Sequence, residues 1–204
     1  KRVKMSNKTK YVTLDAELKY AQVFLENRDM GNDKVDHSDT DGVYKVTLVL
    51  DEENKDKAIA AGCPEKQGAF AQFKPVEVNG KIAYEFTVRR PHIHPRFMKR
   101  DENGQDTDER LVLGPPQVFD LNVAKRAWEE AGEKGRLDQY ATPWTIEDGL
   151  IGNGSKAKVK LAIQQGIGTQ GKAKGKKFTK VELMGIGLTN IVEYAGASGS
   201  GGWD

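Results

Sequence analysis

Cysteine is nearly missing from this chain: Cys63 is the only one in 204 residues. A lone cysteine excludes an internal disulfide and a cysteine-cluster zinc site, and such usage fits a reducing, intracellular setting. No apolar run approaches the length of a membrane span, and no signal-peptide pattern opens the chain. No segment repeats at a period of 20–50 residues, which excludes a solenoid. The most informative absence is local. Between Gly149 and Val181 stand eight lysines and not one Asp or Glu.

What remains is the composition of a loop-rich globular protein, with 37% apolar residues, 30% charged residues and 22 glycines. The length suits one domain with a real core. Net charge is only +2, but the charges are segregated. Residues 86–100 hold Arg89, Arg90, Arg96, Lys99 and Arg100 without an acid, while acids gather in 26–56 and 101–109. Two acid-free basic stretches on a balanced protein are what a basic groove would look like in sequence, with a chance clustering of solvated lysines as the alternative.

Alternation predicts the strands. In "YVTLDAELKYAQVFL" Val12, Leu14, Ala16, Leu18 and Tyr20 share one face, opposite Thr13, Asp15, Glu17 and Lys19. The parity then moves to Ala21, Val23 and Leu25, which predicts a bulge. "VYKVTLVL" (43–50) sets Tyr44, Val46, Leu48 and Leu50 on one face. "DEENKDKAIAAG" (51–62) reads as a short helix capped by Asp51 and closed at Gly62. Asn79-Gly80 predicts a type I′ hairpin whose second strand aligns Ile82, Tyr84, Phe86 and Val88. "DLNVAKRAWEEAG" (120–132) is a second short helix, capped by Asp120, and the "PHIHP" and "GPP" stretches are breakers between elements.

The acid-free stretch follows the same logic. Lys156, Lys158 and Lys160 point one way; Ala157, Val159, Leu161 and Ile163 point the other. "QQGIGTQGKAKGKK" reads as a basic loop. The return strand "FTKVELMGIGLTNIVEY" carries Gly185 and Gly187, marks of a bulge or a close backbone approach. About five long, coiled strands with inserted short helices and long loops fit a mainly β oligonucleotide-binding (OB) fold barrel, with a sandwich as the alternative.

Catalytic signatures are missing. His92 and His94 form an H-x-H pair, but the flanking prolines and arginines argue against a metal. "DENGQDTDE" (101–109) fails the calcium-loop pattern, since its glycine comes fourth and its twelfth position is Val112. "GIGTQG" (166–171) leads into a strand and not into the helix that a dinucleotide fingerprint needs. No cofactor is implied, and the chain does not read as an enzyme. A metal-dependent nuclease using Asp101, Asp106 and Asp108 is kept as a rival, as is an RNA-binding or protein-interaction barrel.

Single-stranded nucleic acid needs cations spaced to follow phosphates and rings on which bases stack. Lys156, Lys158 and Lys160 recur about every 6.7 Å along a strand, close to the phosphate spacing of an extended single strand. "RRPHIHPRFMKR" interleaves Phe97 and two imidazoles with five cations, and Phe178 follows Lys176-Lys177. Tyr84, Phe86 and Trp128 read as core; Trp144 is undecided. The expected DNA-binding set is Lys156, Lys158, Lys160, Lys180, Arg89, Arg90, Arg96 and Lys99 for phosphates, with Phe97 and Phe178 for bases.

"LIGNGSKAKVKLAI", then the glycine-punctuated strand "VELMGIGLTNIVEY", resembles the single-stranded DNA-binding proteins of tailed bacteriophages, the replication proteins of the short-tailed coliphage type and their relatives. "GPPQVFD" and "YAQVFLE" are similar to that family too; the likeness is strongest over 111–194 and extends over 11–194. The resemblance implies an oligonucleotide-binding barrel over 11–195 that coats single-stranded DNA in phage replication and recombination, without sequence preference or turnover. It implies the cytoplasm of an infected bacterial host, a monomer or homodimer, and phage replication proteins as partners through an acidic C-terminal tail. This chain departs there: 196–204 is a Gly/Ser-rich linker without the acidic run. Residues 1–10 read as a basic arm.

Overall fold

The computed structural model describes residues 8–169 and 171–194. Most of the expected basic arm and all of the 196–204 linker lie outside the described residues. Among the described residues no helix is long and apolar enough to cross a membrane.

Nine main strands carry the fold: β1 (Lys8–Gln22), β2 (Val43–Leu50), β3 (Lys74–Val78), β4 (Lys81–Pro91), β5 (Ile93–Arg100), β6 (Asp106–Val112), β7 (Gln117–Asp120), β8 (Lys156–Ile167) and β9 (Lys177–Asn190). Two helices, α1 (Glu52–Ala60) and α2 (Leu121–Glu130), are inserted between them. Seven strands form one mixed sheet in the order β7-β9-β8-β1-β2-β4-β3; β5 and β6 pair separately as a ribbon. The pairing is antiparallel throughout the large sheet except for β7, which runs parallel to β9.

The alternation sorts side chains as expected. Leu14, Leu18, Val46, Leu48, Leu50, Val159, Leu161, Ile163, Leu183, Ile186 and Leu188 are buried in one cluster, with Phe86 and Val88 beside them. Tyr44 is buried as well. Asp51 caps α1 by accepting from the Asn54 N–H at 2.8 Å, and Asp120 caps α2 through the N–H groups of Asn122 and Val123. Asn79 and Gly80 both have positive φ, 51° and 74°, as their turn requires. Cys63 is buried, and burial pushes its thiol up to about 12.

Of the two glycines of the return strand, Gly185 marks a bulge and Gly187 a close approach. The register slips beside Gly185, where Met184 is the extra residue. A Cβ on Gly187 would come within 3.3 Å of the Phe119 ring and 3.4 Å of Leu121, so the glycine lets β7 and the start of α2 lie close to β9.

Four expectations are corrected. The sheet is not a closed barrel. It curls until β9 lies alongside β4, yet no ladder joins the two. β7 occupies part of the outer edge of β9, and Arg90 spans the remaining gap by bonding to Glu182 at 3.2 Å. Tyr20, expected in the core, is 66% exposed, because its backbone turns left-handed at φ 53° where the β1 parity breaks. Ile82 is exposed near the turn of a hairpin whose other strand, β3, is the sheet edge. Residues 89–112, read as breaker, basic loop and acidic turn, are the end of β4 and the β5–β6 ribbon. Their acids and bases pair across it, Lys99 with Glu109 at 3.2 Å and Arg100 with Asp106 at 3.3 Å.

Candidate nucleic-acid interface

The outer face of the sheet over β1, β8 and β9 is where the polar parity of three strands meets. On β8, Lys156, Lys158 and Lys160 are exposed, while Ala157, Val159 and Leu161 between them are buried. Antiparallel register with β1 sets Glu17 opposite Lys156, Asp15 opposite Lys158 and Thr13 opposite Lys160. The ammonium row is therefore not uniform. Lys158 bonds to the Asp15 carboxylate at 2.8 Å, whereas Lys156 and Lys160 form no ion pair among the described residues.

Past Lys160 the face becomes aromatic. Tyr11, opposite Ala162 and 61% exposed, lies under the Lys160 ammonium, 5.2 Å from nitrogen to ring centroid. Continuing outward, Lys180 stands opposite Gln164 and Phe178 opposite Gly166. Thr9, Tyr11, Ala162, Gln164, Lys180 and Glu182 line an open depression here, with Met184 at its margin. Phe178 is 43% exposed.

The β5–β6 ribbon leaves β4 just past Arg90, whose guanidinium meets Glu182 of β9. Its base is fixed: Tyr44 Oη lies 2.7 Å from His92 Nδ1, and the Arg110 guanidinium donates to the carbonyls of His94 and Asp39. The His94 ring lies flat on Phe97, with centroids 4.0 Å apart and planes 1° apart. The ring is held by its Nδ1, which accepts the backbone N–H groups of Arg96 and Phe97. Burial lowers the His94 pKa first; the Lys180 cation then lowers it further, and Glu182 opposes the shift. A flat shelf with Phe97 exposed on top, beside the exposed Arg96, is a surface on which a nucleobase can stack.

Other expected residues fall elsewhere. Arg90 is a structural cation: its guanidinium donates to the carbonyls of Leu113 and Gly114, to Glu182 and weakly to Met184, which leaves little for a phosphate. Arg89 has the opposite parity and stands on the outer face of β4 opposite Lys45, three strands from the lysine row. Lys99 sits farther along the ribbon in its exposed pair with Glu109. Two of the three acids of the nuclease rival, Asp101 and Asp106, serve the ribbon itself. Asp101 accepts the N–H groups of Asn103 and Gln105, and Asp106 faces Arg100. Among the described residues no three His, Cys, Asp or Glu side chains are grouped to hold a metal ion.

Sequence reading missed Tyr11 as an exposed ring of this face. The signal was available, since Tyr11 shares parity with Thr13, Asp15 and Glu17 and not with the core positions of β1. The "IGNGS" stretch proves to be a lock. Buried Ser155 donates to the Gly152 carbonyl at 2.8 Å and accepts the Val192 N–H at 2.9 Å, tying the entry of β8 to the chain leaving β9. No family model, no curated protein and no solved structure matches this chain.

Proposed function

We propose that this chain is a sequence-independent single-stranded DNA-binding protein of the phage replication type, and that its curled sheet is an opened oligonucleotide-binding barrel. It acts by stoichiometric coating in the cytoplasm of an infected bacterium, without turnover. The observation that carries this reading is one constellation at one end of the outer face. Exposed Tyr11 lies under the Lys160 ammonium, Lys180 and Phe178 follow on the next strand, and the strand that leads to the His94–Phe97 shelf is tied to β9 where Arg90 meets Glu182. Rings and unpaired cations interleaved in this way suit a strand whose bases are free to stack. A duplex, with its bases already stacked on one another, would use the cations alone.

Lys160, Lys180 and Arg96 contact phosphates, with Lys156 behind them; Tyr11, Phe97 and Phe178 stack bases. Lys158 contributes once its bond to Asp15 is released. Phage replication proteins remain the partner class that the sequence resemblance implies.

Fluorescence anisotropy of labelled oligo(dT), duplex and RNA of equal length, at two salt concentrations, tests the proposal. The expected result is preference for the unpaired DNA and weakening with salt, by a log–log slope of about −0.7 for each phosphate neutralised. Absence of binding to oligo(dT) overturns the reading, and tighter binding of RNA reassigns the face to RNA.

A further inference from the structure

β1 carries a second exposed tyrosine near its far end. Tyr20 is 66% exposed and has φ 53°, a left-handed conformation that a bulky residue seldom adopts. Among the described residues the other non-glycine positions with positive φ are Asp41, Asn79 and Glu133, so Tyr20 is the one ring in that group. Its conformation is fixed from outside β1, because its N–H donates to Asn153 Oδ1 at 2.8 Å, in the turn that leads into Lys156. Without the left-handed residue, the parity of β1 would send this ring into the core with Leu14 and Leu18. The bulge turns it outward.

The turn leaves Tyr20 exposed next to Lys19, a residue of the polar parity of β1. Lys19 extends over that face to Glu85 at 2.9 Å. Its ammonium is held protonated to higher pH chiefly by that hydrogen bond, and the Tyr20 hydroxyl and Glu17 add to the effect. Tyr11 and Tyr20 therefore mark the two ends of β1, nine residues apart, or roughly 30 Å along an extended strand. The Lys160, Lys158 and Lys156 row runs beside the interval on β8, one strand spacing away.

We infer that Tyr20 is a second base-stacking platform, so that one unpaired strand runs along β1 and β8 from the Tyr11–Phe178 end to Tyr20 with its phosphates on the lysine row. This rests on the single-stranded DNA reading and adds a length and a direction to it. About four to five steps of two residues separate the tyrosines, so an oligomer shorter than that reaches one platform only.

The test compares oligo(dT) of 3 and 12 nucleotides against the wild-type protein, Tyr20→Gly and Tyr20→Phe. Glycine removes the ring and accepts the left-handed backbone without strain; phenylalanine keeps the ring. The expected result is about tenfold weaker binding of the 12-mer by Tyr20→Gly, with the 3-mer unaffected and Tyr20→Phe equal to wild type. Equal 12-mer affinity for Tyr20→Gly and wild type overturns the inference while leaving the binding face intact. An equal loss on both lengths also overturns it, since the substitution would then act on the fold. If wild type binds neither oligomer, the parent proposal has failed instead.

Discussion

The Lys158 ammonium lies 2.8 Å from the Asp15 carboxylate, in the middle of the face that carries the lysine row. Both side chains are more than half exposed, so the pair adds little to stability, about 0.2–1 kcal/mol at most. Its consequence is for ligand binding. On the proposed reading a phosphate has to displace a carboxylate already in place at Lys158, whereas Glu17 stands opposite Lys156 in register without an ion pair between them.

Asp15→Asn is therefore expected to tighten oligo(dT) binding and steepen its salt dependence. The freed ammonium adds about 0.7 to the magnitude of the log–log slope. Anisotropy titrations at several salt concentrations measure both quantities. Unchanged affinity and slope would mean that Lys158 lies off the path of the strand.

Phe97→Ala removes an uncharged ring from the His94 shelf. It is expected to weaken oligo(dT) binding by about 1–3 kcal/mol while leaving the salt slope as in wild type, because no phosphate contact is lost. A change of slope without a change of affinity would assign Phe97 to the fold of the ribbon.

His94 reports whether the ribbon stands beside β9. Burial first, and Lys180 next, hold its pKa below the ordinary 6.5. The folded protein thus favours the neutral ring, whose Nδ1 accepts two backbone N–H groups. The stability this gives is fully present above the unfolded pKa of about 6.5 and is lost as pH falls through the folded value. An NMR titration of the imidazole should give a midpoint below 6.5, and Lys180→Ala should move that midpoint upward. No movement in the variant would separate the ribbon from Lys180.

Ser155→Ala leaves the Val192 N–H without its buried acceptor. A loss of about 1–3 kcal/mol in unfolding free energy is expected, measured by urea denaturation, with DNA affinity retained under native conditions. Wild-type stability would contradict the reading of "IGNGS" as a lock.

How far the sequence revealed this fold follows from the range of each signal. Period-two alternation is local, so the buried faces of β2 and β8 could be read directly, as could the Asp51 cap and the Asn79-Gly80 turn. Tyr20 misled because the position of a bulge within a parity shift depends on a tertiary bond, here from its N–H to Asn153. The ribbon was misread because its strands are held by pairs across it, such as Arg100 with Asp106, and not by a buried face. Asp15 opposite Lys158 and Arg90 against Glu182 are products of register and curl across 143 and 92 residues. Spacing along the chain carries neither.

The most direct test is the double variant Lys160→Ala/Lys180→Ala, titrated with oligo(dT) at two salt concentrations alongside a thermal melt. The expected result is weaker binding, a salt slope shallower by about 1.4 for two lost phosphate contacts, and an unchanged melting temperature. Wild-type affinity and slope in a folded double variant would contradict the assignment of this face to single-stranded DNA.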